Sequence, residues 1–354
     1  MPLSTRFGIE EEFVLLDDAT LVPVSARELH ARVLGEAPGL GVLTAEFMTS
    51  QIEAATEPVS SLDAAGERVM RLRRMLTEHA PAGTVVAATG APFALTGTGQ
   101  LSWSPHYEDV ADLIGRLAAE HIVNGLHVHV EVLDDEERVR ALRRLRERLP
   151  VLLALSANSP FSGGAPAGLA SWRSPLIRRL PVSWGPPAFP DADAYHRTVD
   201  AFVEAGALPA RSSVSWAVRL SERYHTVETR VADAQLRVAD TLLLTALIRA
   251  IVVWDDDTRE PTPPEILDAS LWVATRHGMD ARLLTADGRS HDAWSEVDRM
   301  LHSIRPVLGE LGDAAFVDEQ LARIRTEGTG SQRQLRAYES GGIPALAALL
   351  AADA

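Results

Sequence analysis

The chain has 354 residues, 46% of them hydrophobic and 23% charged, with 49 acidic against 34 basic side chains and a formal net charge of −15. That is the composition of a globular protein able to bury a core, and its acidity excludes a generally basic nucleic-acid surface. Cysteine and lysine are both absent, which excludes disulfides, thiolate nucleophiles, Schiff bases, carbamylated-lysine metal bridges and the lysine of a phosphate-binding loop; any phosphate must be met by arginine, backbone N–H groups or a metal ion.

The opening residues, MPLSTRFGIEEEF, contain no apolar run of a secretion signal. The longest apolar stretch, 241–254, contains Arg249 and falls short of the roughly 20 residues of a membrane span. A soluble cytoplasmic protein is expected. In chain order, 7–16 predicts a strand, 27–34 a short helix and 45–56 one extended segment with Gln51 and Glu53 on the same side. Val69, Leu72, Met75 and Leu76 recur at helical spacing in 62–79, and 85–89 is a small-residue strand. The TGTG sequence at 96–99 lacks the lysine of a nucleotide loop and predicts a turn. A helix over 107–121 precedes a strand over 126–132, and 134–149 predicts a helix with an acidic first turn and an Arg-rich body, read as a solvated face. The Gly-, Pro- and Ser-rich stretch 159–190, with Trp172, Arg173 and Trp184 inside it, predicts a long loop, of a length that is usually either functional or disordered. A strand pair over 213–220 and 226–231 follows, and the chain is mainly helical from 240. The strands are not separated by single crossover helices, which argues for one α+β domain over 1–354 rather than a doubly wound sheet.

The residue types on these strands suggest chemistry. Glu10 and Glu12 share one face of the first strand, with Ile9, Glu11 and Phe13 on the other. Two carboxylates one pleat apart form either an exposed acidic edge or, if buried, a seat for a divalent cation. Glu46 and Glu53 add carboxylates, and Glu53 stands among Ile52, Ala54 and Ala55. His127, His129 and Glu131 share a face in the sequence HVHVE, a pattern shared by metal ligands and by hydrogen-bonded histidines in a polar cleft. Glu228 and Arg230 are paired on a further strand, either as a simple ion pair or as partners for a metal and a phosphate. Arg219 and Arg173 are two more potential anion clamps.

Taken together, the motifs GIEEEF (8–13), EFMTSQIEAAT (46–56), GLHVHV (125–130), LSANSPF (155–161), ASWR (170–173), TVETRVAD (226–233) and GSQRQLRAY (330–338) occur in one order. In this the chain resembles the type-2 glutamate–cysteine ligases, or carboxylate–amine ligases, over nearly its whole length. The resemblance implies a glutamine synthetase-like catalytic domain: a curved, mainly antiparallel sheet flanked by helices, with the site on its concave face. It implies an enzyme that uses ATP and Mg²⁺ to form an amide through an acyl phosphate, with glutamate and cysteine or a related amino acid and amine as substrates. It implies metal ligation by Glu10, Glu12, Glu53 and Glu228 with His127, a less certain companion role for His129, and Arg230 on the phosphate. Arg173 and Arg219 would contact substrate or nucleotide, and Glu46 and Gln51 would lie beside the metals or the amino acid. Two positions depart from the family pattern: Glu131 stands where a Gly is usual after HVHV, and His106-Tyr107 replaces an arginine–tyrosine pair. Small-molecule substrates, no membrane and no nucleic-acid partner are expected, and self-association stays open. The alternatives are a His-ligated metal-dependent amide hydrolase and a non-catalytic nucleotide-binding relative.

Overall fold

In β1 (Phe7–Asp17) Ile9, Glu11, Phe13 and Leu15 alternate with Glu10, Glu12 and Val14, so the strand has two different faces. The computed structural model, which describes residues 5–95, 99–102, 104–255 and 260–351, with backbone alone at 105 and 106, puts β1 inside an eight-stranded sheet. The others are β2 (Gly35–Ala37), β3 (Gly41–Ala45), β4 (Gln51–Thr56), β5 (Thr84–Ala87), β6 (Gly125–Glu131), β7 (Val218–Leu220) and β8 (Thr226–Asp233). They run in the order β7-β8-β6-β1-β4-β3-β2, with β5 also paired to β1. Every pairing in this sheet is antiparallel. The helices that matter for the site are α1 (Leu62–His79), α2 (Pro105–Ile114), α3 (Asp135–Arg146), α4 (Leu149–Ser156), α5 (Val238–Val253) and α6 (Gly330–Leu350). No described helix is long and apolar enough to cross a membrane.

One face of the sheet is apolar. Phe7 and Ile9 lie opposite Val130 and Val128, and Phe13 opposite Ile52. Helices α1, α3, α4 and α5 cover this face and bury it in two large clusters. Burial of this area is the main favourable term in folding. Glu11 points into this apolar layer and is 3% exposed. It is matched there by Arg73 of α1, which donates from Nε (2.9 Å) and Nη2 (2.6 Å), and by the Thr241 hydroxyl of α5 (2.5 Å). The remaining guanidinium hydrogens go to the Gln235 and Leu236 carbonyls. This pair ties two helices to the central strand.

The expected fold class, α+β with an antiparallel sheet flanked by helices, is the one found. Four local expectations are corrected. The segment 45–56 is not one strand: a turn at 46–50 divides β3 from β4, closed by the Met48 N–H on Gln51 Oε1 (3.1 Å), and Glu46 therefore lies on the turn. The helix expected over 134–149 ends sooner, at Arg146, and a second, α4, begins at Leu149 with Pro150 in its first turn, where its missing N–H costs nothing. The Arg-rich body of α3 is not a solvated face: Arg138, Arg144 and Arg146 are buried and satisfy carbonyls of Ser221, Thr226, Val252, Pro186 and Thr262. The stretch 159–190 carries a short helix (Arg173–Arg178) and small strand pairs rather than a plain loop. The turn expected at 96–99 falls largely outside the described residues.

Removing one partner of a buried ion pair leaves an uncompensated charge, so Arg73→Met should lower the unfolding free energy by about 3–5 kcal/mol in urea titration. Adding Glu11→Leu should restore most of that loss.

Candidate active site

The strand register assembles the second face of the sheet. Glu10 lies opposite His127, Glu12 opposite Glu53, and His129 opposite Glu228, which in turn lies opposite Arg219. Five strands thus present their polar residues to one patch. Glu10 Oε2 is 3.3 Å from His127 Nδ1, and its Oε1 is 3.2 Å from His129 Nε2. His127 Nε2 lies 3.6 Å from Glu12 Oε1, and His129 Nδ1 meets the Thr226 hydroxyl at 2.9 Å. Two groups have ligand atoms all within 4.8 Å of one another: Glu10, His127 and Glu228, and Glu12, Glu53 and His127. The Nε2 atoms of His127 and His129 are buried and make no well-aligned hydrogen bond among the described residues, although each faces a carboxylate oxygen, at 3.6 and 3.2 Å.

Charge is only partly balanced. Glu228 is deeply buried, which pushes its pKa up, but Arg219 and Arg230 hold it well below the usual carboxylate range. Arg219 donates to Glu228 from Nε (2.7 Å) and is itself held by the Ser212 and Val214 carbonyls. Arg230 contacts both Glu228 and His127 Nδ1. Glu10 is likewise lowered, its two histidines outweighing burial. At the other end the balance reverses: burial and then Glu10, Glu46 and Glu12 push Glu53 well above the usual range, and burial and then Glu12 push Glu46 up to about 8. Unshared protons on crowded carboxylates mark a place where a cation would be favourable.

Around this patch, Glu46 accepts from the Tyr107 hydroxyl (3.3 Å), which is shared with the Ala45 carbonyl. The Gln51 amide is spent on the protein itself, donating to the Val123 carbonyl (2.6 Å) and Asn124 Oδ1 (2.9 Å). Arg173 is buried and donates to the carbonyls of Arg230 and Val231. Gly125 gives its N–H to Glu12 (2.6 Å), and a Cβ there would stand 2.6 Å from Arg173 Nη2 and 2.8 Å from His127 Nε2; only glycine lets these side chains pass so close. Glu131 sits half-buried at the end of β6 opposite Thr226 and belongs to neither ligand group. The side chain of His106 lies outside the described residues.

Several contributors were not legible as such in the sequence. Asp233 accepts from Asn158 N (2.8 Å), Ser159 Oγ (2.7 Å) and Ser171 Oγ (2.9 Å), and Ser159 Oγ also accepts the Arg173 N–H (3.1 Å). Gln334 of α6 donates to Asn158 Oδ1 (2.7 Å), while Asn158 caps the carbonyls of Ala88 and Ala234. The motifs LSANSPF, ASWR, TVETRVAD and GSQRQLRAY are therefore parts of one buried network beneath the site. Thr44, a donor to Glu53 (3.3 Å), and Thr226 carried no signal of their own.

The family profile described as Glutamate-cysteine ligase family 2 (GCS2) matches residues 6–348. The chain belongs to this family. It is accordingly an ATP-dependent carbon–nitrogen ligase. A relative from Saccharopolyspora erythraea, named "Putative glutamate--cysteine ligase 2-2", is 39% identical over 98% of this chain and 91% of its own length. Among solved structures, the glutamate–cysteine ligase of Francisella tularensis in complex with AMP superposes with a TM-score of 0.73 at 14% identity, covering 98% of this chain and 88% of that one. A bifunctional glutathione synthetase from Pasteurella multocida gives 0.71 at 16% identity, over 98% of this chain and 52% of that one. At such identities the two structures speak for the fold.

The raised carboxylates set a pH dependence. Glu46 binds a proton more tightly folded (about 8) than unfolded (4.5), so the stability it contributes is full below 4.5 and is lost as pH rises through about 8. Glu53 and His129 are shifted the same way; His127, lowered by burial and then by Arg230, opposes them only up to its unfolded value of 6.5. The melting temperature in EDTA should therefore fall between pH 6.5 and 8.5, and a saturating divalent cation such as Mg²⁺ should cancel most of the fall in differential scanning fluorimetry.

Proposed function

We propose that this chain is a cytoplasmic ligase, working over residues 1–354 as one catalytic unit, that uses Mg²⁺ with ATP to join the carboxylate of an amino acid to an amine, glutamate with cysteine or a related pair. The observation that carries this is the convergence of Glu10, Glu12, Glu53 and Glu228 around His127, with Arg230 beside them.

The donor set fits magnesium. It is dominated by hard carboxylate oxygens, and the burial and carboxylate crowding that raise Glu46 and Glu53 are what a cation would offset. Glu10 and Glu228 would hold one ion and Glu12 and Glu53 another, with His127 at their junction. When bound, the ions supply positive charge against the triphosphate oxygens.

In this reaction class an oxygen of the substrate carboxylate takes the γ-phosphoryl group and ADP leaves. The amine nitrogen then attacks the acyl carbon, phosphate departs with the C–O bonding pair, and the nitrogen gives up a proton. Arg230 is fixed by Glu228 and stands beside His127, where a guanidinium neutralises charge growing on the transferred group. Arg219, anchored by two carbonyls, would bind the phosphate end. Arg173, across Gly125 from His127, would take the substrate's own carboxylate. Gln51 orders the 123–124 segment and the 46–50 turn, and so sets where Glu46 faces the amine. No step needs an enzyme nucleophile, which suits a chain without Cys or Lys.

Phosphate release measured across pairs of carboxylates and amines should require ATP, Mg²⁺ and both organic substrates. Glu228→Gln and Glu53→Gln should each lower kcat by at least about 10²-fold with unchanged circular dichroism, and Gly125→Ala should do the same by displacing Arg173 and His127. Near-normal turnover in Glu228→Gln or Glu53→Gln would remove that residue from the metal site. Amide hydrolysis without ATP would instead support the His-ligated hydrolase.

A further inference from the structure

A cavity of about 200 Å³ opens from the Glu12 and Glu46 end of the cluster. All the acidic and arginine side chains that line it belong to the site just described: Glu12, Glu46, Arg173, Arg219 and Arg230. Beyond them the wall changes character. Phe47 of the 46–50 turn, Val110 and Leu113 of α2, and Ile177, Leu180 and Trp184 supply its apolar lining, which also carries Ser212, Ser213 and Ser215. Trp184 is firmly set: Ser183–Trp184 pairs in parallel with Ser215–Trp216, and the Arg178 guanidinium lies 5.3 Å over its ring. Its backbone is in the left-handed region, at φ 77°, a conformation a tryptophan adopts only when its surroundings fix it. Phe47 is braced edge-on by Tyr107 (5.5 Å) and His121 (5.8 Å).

A preformed apolar wall next to two carboxylates and three guanidinium groups selects a molecule that is charged at one end and apolar at the other. The charged end suits an amine, drawn by Glu46, that carries a carboxylate for Arg173. At roughly 10–15 Å³ per water-sized occupant, the cavity admits on the order of a dozen heavy atoms, so cysteine would leave much of it empty. A purine would find Trp184 Nε1 and Ser213 Oγ as partners on this lining, and the ADP titration below separates it from an apolar amine. Glu10, His129 and Glu228 do not line the cavity, while Arg219 and Arg230, which the proposed function gives to the phosphate, do, so the phosphoryl end of the nucleotide and the acceptor meet at these two arginines.

We infer that the acceptor joined by this enzyme is an amine with a branched aliphatic or aromatic group, leucine- to phenylalanine-sized, seated on the wall formed by Phe47, Val110, Leu113, Ile177, Leu180 and Trp184. The inference rests on the ligase function proposed above and narrows its second substrate.

The test compares ATP turnover by the full chain with glutamate as donor and cysteine, leucine, phenylalanine or 2-phenylethylamine as acceptor. Isothermal titration of the same amines and of ADP runs alongside. The branched or aromatic acceptors should exceed cysteine in kcat/KM by at least about tenfold. Val110→Trp, which fills the wall, should abolish that preference and weaken binding of the apolar amines, with the KM for ATP and the affinity for ADP unchanged. Leu113→Phe, filling the same wall one turn along, provides a milder second variant, and thermal melts establish that both fold. A preference for cysteine, or variants that weaken ADP and not the amines, overturns the apolar acceptor and leaves the ligase intact. ATP turnover absent with every pair, together with no calorimetric binding of any amine, overturns both.

Discussion

Carboxylates crowded on one face of a sheet repel one another, and in a poorly hydrated setting that repulsion is large. Glu10, Glu12, Glu46, Glu53 and Glu228 create this condition, and the rest of the site answers it. At one end Arg219, Arg230 and the two histidines hold Glu10 and Glu228 ionised. At the other, no guanidinium among the described residues pairs with Glu53, and burial with the neighbouring carboxylates raises Glu46 and Glu53 instead. The electrostatic strain is thus concentrated around Glu46 and Glu53, where the proposed divalent cation would relieve it. The same sheet handles Glu11, on its opposite face, with a two-pronged arginine pair and needs no ion there. The contrast between Glu11 and its neighbours separates a carboxylate matched by arginine from the crowded ones on the other face of the same strand.

Holding like charges together requires a frame that does not relax. The hydrogen-bond network centred on Asp233 and Asn158 supplies it. It joins the end of β8, the chain after α4, the ASWR segment and α6, and it fixes Arg173 through Ser159. Buried networks whose members are all satisfied rigidify their surroundings, and a catalytic group misplaced by an ångström loses much of its effect. Several family motifs are therefore explained by positioning and not by contact with a substrate. Gln51 is the clearest instance: it resembles a ligand by its place on the strand, but its amide closes the turn that carries Glu46.

The two departures from the family pattern have different weights. Glu131 ends β6 beyond His129 and stands clear of both ligand groups, so its effect is confined to the rim of the site. Tyr107 is at the mouth of the cavity, on Glu46 and against Phe47. Variation beside it falls where, under the proposed function, the acceptor amine would enter.

The sequence by itself determined which residues share a face. Period-two alternation put Glu10 with Glu12 and His127 with His129, and set Glu11 apart, because side-chain direction in a strand is a local property. Composition fixed what chemistry was impossible, and the ordered motifs fixed the family. The tertiary structure alone decided which strands neighbour one another, and so that Glu12 meets Glu53 and Glu228 meets His129. It also decided that Glu46 lies on a turn, that the arginines of α3 are buried, and that Asp233, Thr226 and Tyr107 belong to the site. Most of these depend on pairings distant along the chain, as in the 113 positions between the Glu12 carboxylate and the Gly125 N–H, and no local pattern encodes a partner at that distance. The apolar wall of the cavity was invisible for the same reason: its residues come from separate segments, each of which alone looks like ordinary core.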